Sequence, residues 1–301
     1  MRAIILGVIS ALFFSITFIL NEYINTTQGS YLWTASLRYI FMCPILFIIL
    51  TYKKQVREVY LCVIEYPKQW LFWSTIGFGL FYLPLCFAST FGEGWLVAST
   101  WQITIIAGAL MTPIISKDKL PIRFLKLSLI ILLGILIIQI ENFKIISFKE
   151  GVLGVIPVFI GAFAYPLGNR KMMLLVGNRL TALQRVFGMT LCSFPFWIII
   201  SSLGFISSGI PSYNQITSSL LVAVFSGVIA TTLFFKATNL GSDSPNILAA
   251  IEATQATEIV FTILGGTILG NKIPSMLSLL GIVLIIVGIT LGSFLKEKHT
   301  E

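Results

Sequence analysis

Long apolar stretches, each about the length that a helix needs to cross a bilayer, fill almost the entire chain. A spanning α-helix needs about 20 predominantly apolar residues, and polar residues divide this sequence into ten such stretches. They lie near residues 3–22, 31–52, 70–90, 95–116, 122–140, 151–169, 181–203, 217–239, 245–270 and 275–295. The pattern predicts an all-α membrane protein with ten transmembrane helices.

The composition is that of a chain whose solvent is the bilayer. Hydrophobic residues make up 56% of the 301 residues and charged residues 11%, whereas soluble domains carry about 25% charged residues. Mean hydropathy is +0.95. The longest predicted connection, Lys53 to Gln69, is too short for a separate domain, so any function must reside among the helices.

The net charge of +8 indicates membrane topology and not a nucleic-acid partner. With both termini in the cytoplasm, the ten-helix order places most of the 20 Lys and Arg residues in inner connections, Arg170 among them. The exceptions on the outer side are Arg38, Lys144, Lys149 and Lys272. This excess follows the positive-inside rule, so we expect both termini to be cytoplasmic.

The sequence around Arg38 occurs a second time around Arg185. Thr34-Ala35-Ser36-Leu37-Arg38 corresponds to Thr181-Ala182-Leu183-Gln184-Arg185, and further pairs recur at similar offsets. They include Asn21 with Asn169 and Gln102 with Gln255. Because each half contains five predicted helices, an odd number, the second half must enter the membrane from the opposite side. We therefore predict two inverted repeats, residues 1–145 and 146–301, which together form one transmembrane domain.

Inverted repeats are common in secondary transporters, whose substrate site lies near the midplane where the halves meet. The duplication therefore predicts a carrier that exposes one site alternately to the two sides. Ten helices can enclose a cavity in one chain, so a monomer is sufficient, although a dimer is compatible with the sequence. We expect no cofactor, and the four cysteines lack the spacing of a metal site or a disulfide.

Ten helices in two inverted halves, with a short connection before the ninth helix, resemble the drug/metabolite transporter superfamily. Three stretches are similar to its bacterial ten-helix, EamA-like branch of multidrug resistance efflux transporters: Gly94–Thr104, Ala164–Lys171 and Glu252–Gln255. The resemblance covers the whole chain and implies export of small solutes across the bacterial plasma membrane. Small multidrug exporters of this superfamily carry a proton-coupling Glu in the middle of helix 1, where this chain offers only Ser15 and Thr17.

The ninth predicted helix carries two carboxylates inside the membrane, where a charge costs about 2.5 to 3.5 kcal/mol at the helix centre. On an α-helix, Glu252 and Gln255 share one face, and Glu258 lies about 120° from Glu252. We expect Glu252 and Gln255 to face a substrate cavity and Glu258 to face a neighbouring helix or a second polar pocket. The alternative for each carboxylate is a buried ion pair that fixes helix packing, with Lys236 or Arg185 as partner.

Removal from water favours the protonated form of a carboxylate. Such a group can hold a proton near neutral pH and release it when substrate or water arrives, as proton-coupled antiport requires. We therefore hypothesise that Glu252 or Glu258 couples transport to protons.

The repeat suggests further site residues in both halves. Gln102 is expected to face Gln255 across the pseudo-twofold axis or to bond a neighbouring helix, and Trp101, Tyr82 and Tyr165 are candidates for stacking on the ligand. For Arg38 and Arg185 we expect salt bridges that close one side at a time. Lys236 is a candidate structural or gating residue, and Asn21 and Asn169 are expected to cap helix ends or to assist gating.

Other classes of function lack the residues that their chemistry needs. No GxxxxGK[ST] phosphate loop is present, which disfavours a transport ATPase. The only histidine is His299 and the only aspartates are Asp118 and Asp243, so HExxH zinc chemistry, Ser-His catalysis and a paired-aspartate protease are disfavoured. A metabolite importer or exchanger, another intramembrane enzyme and a sensor remain as alternatives. Among substrates, two cavity carboxylates favour drug-like cations, amino acids or related metabolites.

Overall fold

The computed structural model describes residues 2–115, 120, 122–142, 147–242, 244–271 and 273–293. These residues form α-helices joined by short connections, with no strand among them. Several residues that entered the sequence-based argument lie outside this part of the chain: Asp118, Lys144, Asp243, Lys272 and His299.

Twelve helices follow one another in the part of the chain that the structure describes. They are α1 Arg2–Thr26, α2 Tyr31–Tyr52, α3 Val56–Glu65, α4 Pro67–Ala88, α5 Gly94–Ile115, α6 Ile122–Asn142, α7 Phe148–Val176, α8 Ala182–Cys192, α9 Phe194–Ser208, α10 Tyr213–Leu240, α11 (Pro245–Ala253, Thr254–Ala256 and Thr257–Ile268) and α12 Met276–Ser293.

Seven of these helices are long and apolar enough to cross a membrane: α1, α2, α4, α5, α7, α10 and α11. Helices α8 and α9 meet at a bend of 50° and make an eighth span if the pair crosses as one unit. The apolar parts of α6 and α12, Ser128–Glu141 and Met276–Gly288, are shorter. The protein is therefore a multi-pass membrane protein, and the count of ten, which needs α6 and α12 to cross as well, stays a prediction.

The predicted connection from Lys53 to Gln69 contains a helix of its own. Helix α3 buries Val59 and Cys62 and leaves Tyr60 and Leu61 exposed. At its end, the exposed Glu65 carboxylate binds Arg179 with an Oε2 to Nη1 distance of 2.8 Å. The hydrogen bond from Tyr66, together with Arg179, lowers the pKa of the Glu65 carboxyl below its usual value.

The contacts between helices have a matching pattern in the two halves of the chain. Helix α1 packs against α10 and α11, and α7 packs against α4 and α5. Three further contacts join one half to the other: α2 with α9, α5 with α11, and α6 with α12. Contacts between helices of the first and second halves of the chain therefore occur along the bundle.

Four helices of the bundle depart from regular α-helical geometry. Helices α4 and α10 contain π-helical stretches, Thr75–Gly79 and Ala223–Ala230. Helix α11 has a 3₁₀ turn over Thr254–Ala256, and α5 is interrupted at Gln102. Local π and 3₁₀ geometry is frequent at functional sites and hinges, and these segments direct attention to the centre of the bundle.

Candidate functional site

A small cavity lies at the centre of the bundle, where α1, α2, α4, α5, α7 and α11 meet. Its wall is largely aromatic, and its polar members are Thr17, Arg38, Gln255 and Glu258. The cavity volume is about 10 Å³, which is room for about one water. In this structure the cavity is therefore too small for an organic solute.

The polar groups of this cavity have unused hydrogen-bonding capacity. Both carboxylate oxygens of Glu258, Nε2 of Gln255, the hydroxyl of Tyr165 and Nε of Arg38 are buried without a hydrogen-bond partner among the described residues. A buried donor or acceptor that stays unpaired costs about 1 to 3 kcal/mol. Several such groups converge on this one cavity, as in a polar binding site.

Gln255 shares the cavity with a different carboxylate from the one that the sequence analysis grouped with it. On a regular α-helix Gln255 lies about 60° from both Glu252 and Glu258, so helical periodicity allows either grouping. The sequence analysis grouped Gln255 with Glu252. The structure differs: Glu258 lines the cavity with Gln255, whereas Glu252 is absent from its lining.

The Glu252 carboxylate is instead held by Arg170. Nε of Arg170 donates to Oε1 at 2.9 Å, and Nη2 donates to Oε2 at 2.7 Å. Nη1 of Arg170 donates to the Gly108 carbonyl at 2.7 Å and to Thr112 Oγ1 at 3.0 Å. This buried ion pair joins α7, α11 and the second half of α5.

The ion-pair alternative considered for Glu252 thus describes its geometry, but the partner differs from both expected residues. Lys236 is exposed, and Arg185 binds other groups. Arg170 was assigned to a connection because the apolar stretch ends at residue 169. Helix α7 continues to Val176, which keeps Arg170 inside the bundle.

Gly108 is the residue that allows this close approach. A Cβ added at Gly108 would lie 2.9 Å from Cδ of Glu252, closer than real Cβ contacts. The absence of a side chain therefore leaves room for the carboxylate, while the carbonyl of the same residue binds its partner Arg170.

A second polar junction lies at the beginning of α5. The Glu22 carboxylate, near the end of α1, accepts from the Gly94 backbone N–H at 2.8 Å through Oε2. Its Oε1 accepts from Asn271 Nδ2 at 2.8 Å. The sequence analysis placed no functional role on Glu22, because nothing local in the sequence brings residues 22, 94 and 271 together.

Arg185 is well supplied with hydrogen-bond acceptors. Nη1 donates to Asn239 Oδ1 at 2.7 Å and Nη2 donates to Asn169 Oδ1 at 3.2 Å, while the guanidinium centre lies 4.4 Å from the Phe235 ring centroid. The guanidinium of its repeat counterpart Arg38 lies 4.2 Å from the Tyr82 ring centroid, hydrogen-bonds with the Tyr82 hydroxyl and donates a long hydrogen bond, 3.4 Å, to Thr17 Oγ1.

Neither arginine forms the salt bridge that the sequence suggested, since no carboxylate of the described residues lies within ion-pair distance of either. Asn21 and Asn169 lie inside α1 and α7 and are not terminal caps. Asn21 accepts from the Tyr82 hydroxyl at 3.2 Å.

Of the aromatic candidates, Trp101 and Tyr165 line the cavity, whereas Tyr82 lies behind Arg38. The Tyr165 ring lies 5.8 Å from Trp101 and 4.6 Å from Phe81, between centroids. Gln102 donates to the Ala98 carbonyl of its own helix at 2.8 Å and is not part of the lining. The structure therefore does not place the two repeat-related glutamines in one cavity.

Comparison with known proteins identifies the family. A family described as "EmrE: Putative multidrug resistance efflux transporter" matches residues 1–298. The chain is 44% identical to the uncharacterized protein YjlA of Bacillus subtilis (strain 168), over 99% of this chain and 96% of YjlA. It is 41% identical to an uncharacterized 42.1 kDa protein in the intracellular alkaline protease 3' region of Shouchella clausii, over 86% of this chain and 70% of that protein.

A crystal structure of another protein superposes with a TM-score of 0.65 at 14% identity, covering 97% of this chain and 96% of that one. This similarity extends to the fold alone. The family match confirms the resemblance drawn from the sequence: the chain belongs to the EmrE family of multidrug resistance efflux transporters, within the drug/metabolite transporter superfamily.

Proposed function

We propose that this protein is a secondary active transporter that exports small organic solutes across the bacterial plasma membrane by alternating access, coupled to protons at Glu258. One observation carries the proposal: both carboxylate oxygens of Glu258 lie in a cavity between helices of both halves, with no hydrogen-bond partner among the residues that the structure describes. Membership of a transporter family supports a carrier over an enzyme or a sensor.

The proton-coupling role goes to Glu258 and not to Glu252. Arg170 holds both oxygens of Glu252, and a carboxylate in a bidentate ion pair has little reason to exchange a proton. Around Glu258, the charged or titratable groups of the cavity are Arg38 from α2 and Tyr165 from α7. Neither forms an ion pair or a hydrogen bond with the carboxylate, so its acid form is the less costly one in this structure.

The matching contacts of α1 and α7 support two inverted repeats, residues 1–145 and 146–301, forming one domain. The π-helical stretches occur in α4 and α10, and the breaks occur in α5 and α11, at the places that the repeat relates. On this proposal all ten apolar helices cross the membrane, both termini are cytoplasmic, and one chain suffices because a single chain encloses the cavity.

Alternating access requires the two ends of the cavity to open in turn. The Arg170–Glu252 pair ties α7, α11 and α5 together at one end, and Glu22 ties α1 to Gly94 and Asn271 at the other. We propose that these junctions are the two gates and that the structure has both of them closed.

An uptake screen in proteoliposomes tests this function. The solutes are amino acids, polyamines and quaternary amines, each measured with and without a pH gradient and against protein-free liposomes. We expect at least one class to show saturable uptake that the gradient drives and that Glu258→Gln abolishes. Undiminished gradient-driven uptake by Glu258→Gln would remove the coupling role, and import without exchange for protons would favour the importer alternative.

A further inference from the structure

The central cavity is lined by a basic and an acidic side chain that do not pair with each other. Arg38 reaches it from α2 and Glu258 from α11, and both side chains are 1% exposed. They form no ion pair with each other. A ligand with a carboxylate and an ammonium group would offer each of them a partner of opposite charge, and such pairs are strong in a space of low dielectric.

Arg38 has weaker hydrogen bonds than its repeat counterpart Arg185. Nε of both arginines has no hydrogen-bond partner among the described residues. The Nη groups of Arg185 donate to two asparagine oxygens and to the Phe235 carbonyl, whereas Arg38 reaches only hydroxyl oxygens among the described residues, those of Thr17 at 3.4 Å and of Tyr82. Arg38 therefore keeps more capacity for an acceptor that enters the cavity, and a guanidinium matches a carboxylate best.

We infer that the cavity binds a solute that carries an ammonium group and a carboxylate together, with its carboxylate at Arg38 and its ammonium at Glu258. This inference rests on the proposed transport function and adds the class of substrate. It also changes the role of Arg38 from the gating or structural residue of the sequence analysis to a residue that contacts the ligand.

The remaining wall of the cavity fits an apolar body between these two charges. The Phe14, Phe81 and Trp101 rings surround Tyr165, with ring centroids 4.6 to 6.5 Å from its own. Aromatic rings attract an ammonium group and an apolar side group alike. The free donors on Gln255 and Tyr165 give the solute carboxylate further partners.

A solute with only a positive charge fits this cavity less well. Arg38 would repel it inside a low-dielectric space, since like charges there are poorly screened. A solute with only a carboxylate would find no partner for Glu258, whose oxygens would stay unpaired. When the ammonium group binds, the Glu258 acid releases its proton to water and the carboxylate pairs with the ammonium, so solute and proton exchange one for one.

Three probes that share a phenyl body separate these possibilities: L-phenylalanine with both charges, phenethylamine with the cation alone, and 3-phenylpropionate with the anion alone. In proteoliposomes, after subtraction of uptake by protein-free liposomes, the wild type should transport phenylalanine faster than either analogue by about tenfold or more, the effect of one lost charge-assisted hydrogen bond. Unlabelled phenylalanine should inhibit this uptake, and equal concentrations of the analogues should not.

Variants of Arg38 provide the second test. Arg38→Met should lose uptake of phenylalanine and bring it level with phenethylamine, while Arg38→Lys, which keeps the charge, should retain the preference for phenylalanine. The competition assay needs only the wild type, so poor folding of a variant does not obscure the answer.

Phenethylamine transported or competing as well as phenylalanine would overturn the zwitterion inference and leave the proposed transporter standing. Absence of saturable phenylalanine uptake in the wild type would overturn it as well, while the broader solute screen decides the transport function independently.

Discussion

Arg170 and Glu252 form a bidentate ion pair inside the bundle, with N to O distances of 2.9 and 2.7 Å and side-chain exposures of 3% and 5%. The pair joins α7 and α11, both in the second half of the chain. Two groups of α5 in the first half, the Gly108 carbonyl and the Thr112 hydroxyl, accept from the same guanidinium. A charge pair so well satisfied is a structural junction, which separates it from the unpartnered carboxylate of Glu258 in the cavity.

Loss of one charge from this junction should destabilise the protein strongly. Glu252→Gln leaves the Arg170 guanidinium buried without a counter-ion, and breaking a buried pair costs about 3 to 5 kcal/mol. The midpoint of thermal unfolding in detergent should therefore fall clearly. The matched control is Glu65→Gln, which removes the exposed pair with Arg179 and should leave the midpoint unchanged. If the two variants changed the midpoint equally, the buried pair would contribute no more to stability than the exposed one.

A side chain at Gly108 should disturb the same junction from the other side. Gly108→Ala places a methyl group against the Glu252 carboxyl, and overpacking of this kind costs about 1 to 3 kcal/mol. Gly154→Ala is the control, because its added Cβ meets Phe91 at an ordinary 3.4 Å and both variants gain the same helix propensity. Thermal unfolding should rank Gly108→Ala below Gly154→Ala, and the reverse order would contradict the packing described for α5.

The ten-helix topology has its most direct test at α6. If α6 crosses the membrane, Leu120 before it and Phe148 after it must lie on opposite faces. Both are exposed, at 39% and 78%, and suit single-cysteine labelling in a background without Cys43, Cys62, Cys86 and Cys192. A membrane-impermeant thiol reagent should label Leu120→Cys in inverted vesicles and Phe148→Cys in right-side-out vesicles. Labelling of both from one face would eliminate the crossing and with it the pair of five-helix repeats.

Much of the fold could be predicted from the sequence because hydropathy acts locally. The apolar stretches near 31–52 and 95–116 correspond closely to α2 and α5, and the family followed from short stretches such as Glu252–Gln255. Helix ends were harder to predict. The sixth predicted stretch ended at residue 169 and left Arg170 outside the membrane, because a charge normally ends an apolar stretch. Only the complete fold shows that Glu252 is the partner that allows Arg170 to lie inside the bundle.

The candidate site was predictable in its residue types more than in its geometry. Glu258, Gln255, Trp101 and Tyr165 were candidates and line the cavity. Helical periodicity places Gln255 about 60° from both Glu252 and Glu258, so the sequence could not decide which carboxylate faces the cavity; that depends on how the whole helix α11 packs against its neighbours. Arg38 and Tyr82 lie next to each other through long-range packing of α2 against α4, and no local pattern in the sequence indicates that contact.

Proton movement driven by solute tests the central claim, exchange at Glu258, most directly. Proteoliposomes are loaded with a pH-sensitive dye and with the solute that gives the largest uptake in the screen, and are then diluted into solute-free buffer at the same pH. Outward flow of solute should carry protons inward and acidify the lumen with wild-type protein and with Glu65→Gln, whereas Glu258→Gln should give no change. A lumen that stays at constant pH with the wild type while solute leaves, or that acidifies equally with Glu258→Gln, would contradict the account.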